Sequence, residues 1–192
     1  MPYEVKDTIL SEARKCFHLY GFKKTTVDDI AVRTGVSKKT LYKHFSSKDD
    51  VIKAVIEQIM EPMALQVDSI IENKTPLSDA LKAIFTTVQK VSASISTPML
   101  DDMRMQPEAW QLVKNRRREV LERFAIILTM AKNNGVVREN LDINLYIKIL
   151  INAIDTFANP TTFLEIDISS EEFAKQILAI FMNGILNNGG RT

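Results

Sequence analysis

An all-α fold is predicted by three observations. Apolar residues recur at helical spacing along the whole chain. Only six glycines and six prolines punctuate its 192 residues. No strand alternation and no hairpin dipeptide interrupts the helical pattern. The chain shows no internal repeat and no low-complexity segment, and its 45% hydrophobic and 26% charged residues are ordinary for a globular protein.

The first helix is predicted over about 4–20, where Leu10, Ala13, Phe17 and Tyr20 share a face and Gly21 closes it. Thr26, with Asp29 three residues on, has the capping-box pattern of a second helix, which ends at the tight turn of Gly35. Ser37 caps a short third helix, with Val36 and Leu41 placed as a hydrophobic staple. Ser47 caps a fourth that runs to about residue 71. Three short helices with a tight turn between the second and third have helix-turn-helix spacing. Further helices are predicted at about 77–95, 107–133, 142–158 and 170–187, and Thr97–Gln106, with Pro98 inside it and Pro107 just after, reads as an irregular pocket gate. The division expected is a helix-turn-helix head over 1–50 and a larger helical body over 51–192.

The single cysteine, Cys16, rules out an internal disulfide framework and suits a reducing compartment. No stretch approaches the ~20 apolar residues of a membrane span. The start, Met1 to Glu4, lacks the pattern of a signal peptide. A cytoplasmic protein without a membrane partner is expected. The net charge is +3 over residues 1–50 and −2 over the rest. From Ile30 to Lys48 there are five cations (Arg33, Lys38, Lys39, Lys43, Lys48) and no carboxylate. A cationic window in a near-neutral protein marks a polyanion site.

At ~100° per residue, Leu41 and Phe45 fall on one face of the third helix and Lys39 and Lys43 on the other, with Thr40 and Tyr42 at the flanks. Lys and hydroxyl side chains suit phosphate oxygens and base edges. Lys38, Lys39 and Lys48 lie at helix N-termini, where a cation opposes the macrodipole at a cost of about 0.3–1 kcal/mol. That placement makes sense if those ends face an anion. His44 suits a phosphate contact or a polar flank equally, and Tyr42 favours a phosphate contact over core packing.

The run from Thr26 to Lys48, TVDDIAVRTGVSKKTLYKHFSSK, resembles the N-terminal domain of TetR-family transcriptional regulators. Ala13, Phe17, Gly21 and Phe22 match that family's first helix, and the resemblance covers about residues 5–55. It implies that the second helix-turn-helix element enters the major groove of double-stranded operator DNA. Lys38, Lys39, Thr40 and Lys43 are then candidates for base edges, and Thr26, Ser37, Tyr42, His44 and Lys48 for phosphates.

Beyond the head, Ile143 to Ile154 holds one charge, Lys148, and its apolar residues surround the helix. The predicted last helix carries Phe173, Ile177, Ile180, Phe181 and Ile185 on one broad face. Two such helices suit a self-associating four-helix bundle, so a homodimer is expected through Ile147, Ile151, Ile154, Phe173, Ile177 and Phe181. Family members resemble this in dimerising through their last two long helices. Phe85, Met99, Met103, Trp110, Phe124, Ile127 and Met130 are candidates to line a pocket for an unidentified small, hydrophobic ligand that releases the DNA, although such a stripe is more often plain core. Arg116, Arg117 and Arg118 read as solvated surface or partners of Glu119 and Glu122.

Two histidines on separate helices, no Cys/His cluster, no glycine-rich loop and no nucleophile elbow argue against an enzyme, and no cofactor or metal is expected. An activator instead of a repressor, and a helical module that binds an acidic protein, are the alternatives. Excess unrelated duplex separates the latter from a DNA binder by salt-dependent displacement.

Overall fold

In a computed structural model of the chain, residues 2–157, 176, 179–181 and 183–186 are described. Eight helices follow one another among them: α1 (Pro2–Lys24), α2 (Val27–Thr34), α3 (Lys38–His44), α4 (Lys48–Glu72), α5 (Leu77–Ala93), α6 (Thr97–Met105), α7 (Pro107–Asn133) and α8 (Ile143–Phe157). Among the described residues there is no strand, and one isolated antiparallel bridge joins Val137 to Leu186. The fold is all-α, with an N-terminal helix-turn-helix. Most of the helix predicted at 170–187 lies outside the described residues, but 176, 179–181 and 183 are helical.

Two compact units make up the chain. One combines residues 1–63 with 90–116, the other 64–89 with 117–192. The core of the first gathers Ile9, Ala13, Phe17 and Phe22 of α1, Ile30 of α2, Leu41 of α3 and Ile52 and Ile56 of α4. Burying each of the Ile, Leu and Phe side chains stabilises the fold by about 1.5–3 kcal/mol. Phe17 and Phe22 meet edge to face, their centroids 4.9 Å apart. In the second unit the buried set includes Val67, Ile70, Phe124, Leu128, Tyr146, Ile147 and Ile185.

Two elements differ from expectation. Thr97–Gln106 is not an irregular gate: α6 is a regular helix, because Ser96 caps it by accepting from the Met99 N–H and Pro98 occupies its first turn, where a missing N–H does no harm. Its Met99 and Met103 are fully buried in the core of the first unit. The second difference is at Gly21. It has φ +79°, as a closing glycine should, but α1 resumes for one more turn to Lys24. Asp102 of α6 accepts from the Lys23 N–H at 2.8 Å, and the Thr25 hydroxyl donates to the Gly21 carbonyl at 2.8 Å. These bonds satisfy the backbone groups that the break exposes.

The arginine run also has specific partners. Arg116 meets Glu57 of α4 at 3.0 Å, and Arg117 meets Asp155 of α8 at 2.8 Å.

Candidate nucleic-acid interface

The three predicted caps form. The Thr26 hydroxyl accepts from the Asp29 N–H at 3.1 Å, while the Asp29 carboxylate accepts from the Thr26 N–H at 2.8 Å and from its hydroxyl at 2.6 Å. Those hydrogen bonds, with Arg33 and Lys48 nearby, hold the Asp29 carboxyl below its ordinary pKa. Ser37 accepts from the Thr40 N–H at 3.0 Å, and Ser47 from the Asp50 N–H at 3.1 Å. Between α2 and α3, Gly35 adopts φ +68° and its N–H reaches back to the Val32 carbonyl, while the Val36 N–H bonds the Ala31 carbonyl. That pattern closes α2 and starts the turn.

Leu41 and Phe45 are buried, which leaves Lys38, Lys39, Tyr42 and Lys43 exposed on α3. Thr26 and Ser37 are exposed beside them, while Thr40, His44 and Lys48 are half-buried. The side chains do not stand equal. Lys38 is tied to Asp28 of α2 at 3.0 Å, and the carboxylate raises the Lys38 pKa by hydrogen bond and charge. The Thr40 hydroxyl shares a 2.8 Å hydrogen bond with Ser37. Lys39, Tyr42 and Lys43 therefore form the open part of the face. The dipole argument also narrows. The first turn of α3 carries no acid, but that of α4 holds Asp49 and Asp50, which offset Lys48.

One cation was missed in the sequence. Lys6 of α1 lies 5.7 Å from the centroid of the Phe45 ring, which puts it beside the end of α3. It lies far from the Ile30–Lys48 window in the chain, and only the packing of α1 brings it there.

The remaining candidates are dispersed. Met99, Met103 and Trp110 join the core cluster of the first unit, whereas Phe85, Phe124, Ile127 and Met130 belong to the second. Phe124 and Ile127 are buried, and Phe85 and Met130 half-buried. Of the residues expected at a dimer contact, Ile147 is buried within its own chain, and Ile151 and Ile154 are half-buried. Phe181 packs edge to face on Tyr146, whose hydroxyl donates to the Phe181 carbonyl at 3.3 Å. Phe173 and Ile177 lie outside the described residues. The apolar positions that α8 leaves exposed are Leu145 and Ile149, at 56% and 51%. No helix among the described residues is long and apolar enough to cross a membrane.

Residues 9–55 match the sequence model of bacterial regulatory proteins of the tetR family. The chain is similar to YvaF of Bacillus subtilis, an uncharacterised HTH-type transcriptional regulator, with 26% identity over 92% of this chain and 93% of that one. It is 25% identical to the HTH-type transcriptional repressor KstR2 of Mycolicibacterium smegmatis, over 98% and 94% of the two chains. Among solved structures it resembles SmeT, the repressor of the Stenotrophomonas maltophilia multidrug efflux pump SmeDEF, with a TM-score of 0.70, 18% identity and coverage of 96% and 91%. SmeT is also known as a complex with triclosan, at a TM-score of 0.69 and 17% identity over 97% and 93% of the chains.

Proposed function

The chain is a DNA-binding transcriptional regulator of the tetR family, and on that premise we propose that it is a homodimeric, cytoplasmic repressor released from a pseudo-palindromic operator by a small hydrophobic ligand. The observation that carries the DNA reading is the α3 face: Lys39, Tyr42 and Lys43 stand exposed while Leu41 and Phe45 anchor the helix from behind. The roles follow from reach. Lys39, Thr40 and Lys43 read base edges. Thr26, Ser37, Tyr42, His44 and Lys48 hold phosphates, and Lys6 adds a further cation at the edge. Lys38, held by Asp28, positions the turn and lends its charge to the groove.

Dimerisation through the end of the chain is supported by Leu145 and Ile149 on α8 and by Ile180, 64% exposed. A hydrophobic ligand is supported by the apolar set of buried Phe124 and Ile127 and half-buried Phe85 and Met130, and by the triclosan complex of SmeT. Repression is supported by the names of KstR2 and SmeT.

Selection of bound duplexes from a random library tests the reading. A two-fold dimer presents two α3 helices, so the enriched sites should carry inverted half-sites about one helical turn apart, or somewhat more where the DNA is deformed. Enrichment of sites without a dyad would contradict it.

A further inference from the structure

On the first unit lies a depression of about 480 Å³ lined by Ser11, Arg14, Lys15, His18, Leu19, Arg33 and Ser94. Ser11, Arg14, Lys15 and His18 form one face of α1 at i, i+3, i+4 and i+7. Arg33 comes from the last turn of α2. Four nitrogen-bearing side chains thus converge from two helices, and no carboxylate lines the depression.

Carboxylates close in sequence are already engaged. Glu12 pairs with Lys15, and Asp29 is held in the Thr26 cap. Neither Arg14 nor Arg33 has an ion-pair partner among the described residues. His18 turns Nδ1 toward the Ser94 carbonyl at 3.2 Å, which directs its other ring nitrogen elsewhere. Guanidinium groups bind phosphate and carboxylate oxygens in bidentate fashion, and two of them from different helices suit a multivalent oxyanion. None of the residues that line the depression is among those assigned to DNA. Asp28, which holds Lys38 of α3, lies about 140° around α2 from Arg33.

We propose that this depression is a second anion site, which takes a free phosphate-bearing small molecule between Arg14 and His18 of α1 and Arg33 of α2. DNA phosphate offers the same chemistry, and the test separates the two sources.

The probe is inorganic pyrophosphate, titrated calorimetrically into the full-length protein at about 0.15 M salt, where long-range surface attraction is screened. The expected result is one saturable site per chain that survives Lys39→Ala/Lys43→Ala. Arg14→Gln/Arg33→Gln should weaken it about tenfold or more, since two charge-assisted contacts are lost. Each single Gln variant should give an intermediate loss; Arg33 is exposed and Arg14 half-buried, and circular dichroism should show an unchanged fold for each variant. Random-duplex affinity and its salt slope should be the same for wild type and the double Gln variant. Absence of saturable binding, or equal binding by wild type and the double Gln variant, would overturn the proposal. A salt slope reduced by the Gln changes would overturn it too, by assigning the depression to the DNA backbone.

Discussion

Thr26 and Asp29 hold each other in place, and this sets the start of α2. Replacing an N-cap threonine with alanine costs about 0.5–2 kcal/mol, so Thr26→Ala should lower the melting temperature. Asp29 adds a pH dependence whose sign follows from its lowered pKa. The stabilisation is fully present above the ordinary carboxylate pKa and is lost as pH falls through the lower folded-state value. Melting curves from pH 6 down to about pH 2 should converge for wild type and Asp29→Asn at the acid end. A constant gap at every pH would assign the effect to packing.

The two glycines of the head carry different demands, and a comparison of their alanine variants measures the difference. At Gly35 the φ is +68° and nothing lies within 4 Å of an added Cβ. Gly35→Ala should therefore cost only the left-handed penalty of roughly 1–2 kcal/mol. At Gly21 the φ is +79°, and an added Cβ would run into the Asp102 carboxylate and approach the Pro98 carbonyl at 3.1 Å. Gly21→Ala should be the more damaging, and Asp102→Ala in the same chain should give little rescue, because Lys23 then loses its acceptor. Equal melting temperatures for the two glycine variants would refute this account of the α1–α6 contact.

At the scale of elements, the helices α1 to α4 were legible because their signals are local. Thr26, Ser37 and Ser47 cap within three residues of themselves, and Gly35 needs only its own φ. α6 was not legible, since Pro98 reads as a break unless Ser96 is recognised as the cap before it. Nor were the Lys38–Asp28 pair, the approach of Lys6 to Phe45 and the bond from the Lys23 N–H to Asp102, which join residues through tertiary packing. The α3 face was read correctly as to burial, but Lys38 and Thr40 looked freer than they are. Pro62 inside α4 sets a further test. A proline removes one backbone hydrogen bond and crowds the carbonyl four residues back. Pro62→Ala should raise the thermal stability, by up to ~3 kcal/mol on helix propensity alone. An unchanged or lower melting temperature would mean that the proline ring is needed for packing.

At the scale of the whole molecule, the proposed dimer and the DNA reading rest on one another. Two α3 helices must be held at a fixed separation for a palindrome to be read. Ile147 is buried in its own chain, so a charge there would damage folding as much as association. Leu145→Glu and Ile149→Glu, at exposed positions, should give folded monomers by light scattering. Folded dimers would move the contact elsewhere. The central claim is that α3 reads bases while the start of α4 neutralises phosphate. The most direct measurement is a set of binding titrations with Lys39→Ala, Thr40→Ala and Lys48→Ala, on operator and scrambled duplex, at several salt concentrations. Lys48→Ala should weaken both duplexes alike and lower the salt slope by roughly one unit. Lys39→Ala and Thr40→Ala should each cost about 1–3 kcal/mol on the operator and much less on the scrambled duplex. Equal losses on the two duplexes for Lys39→Ala and Thr40→Ala would contradict the account.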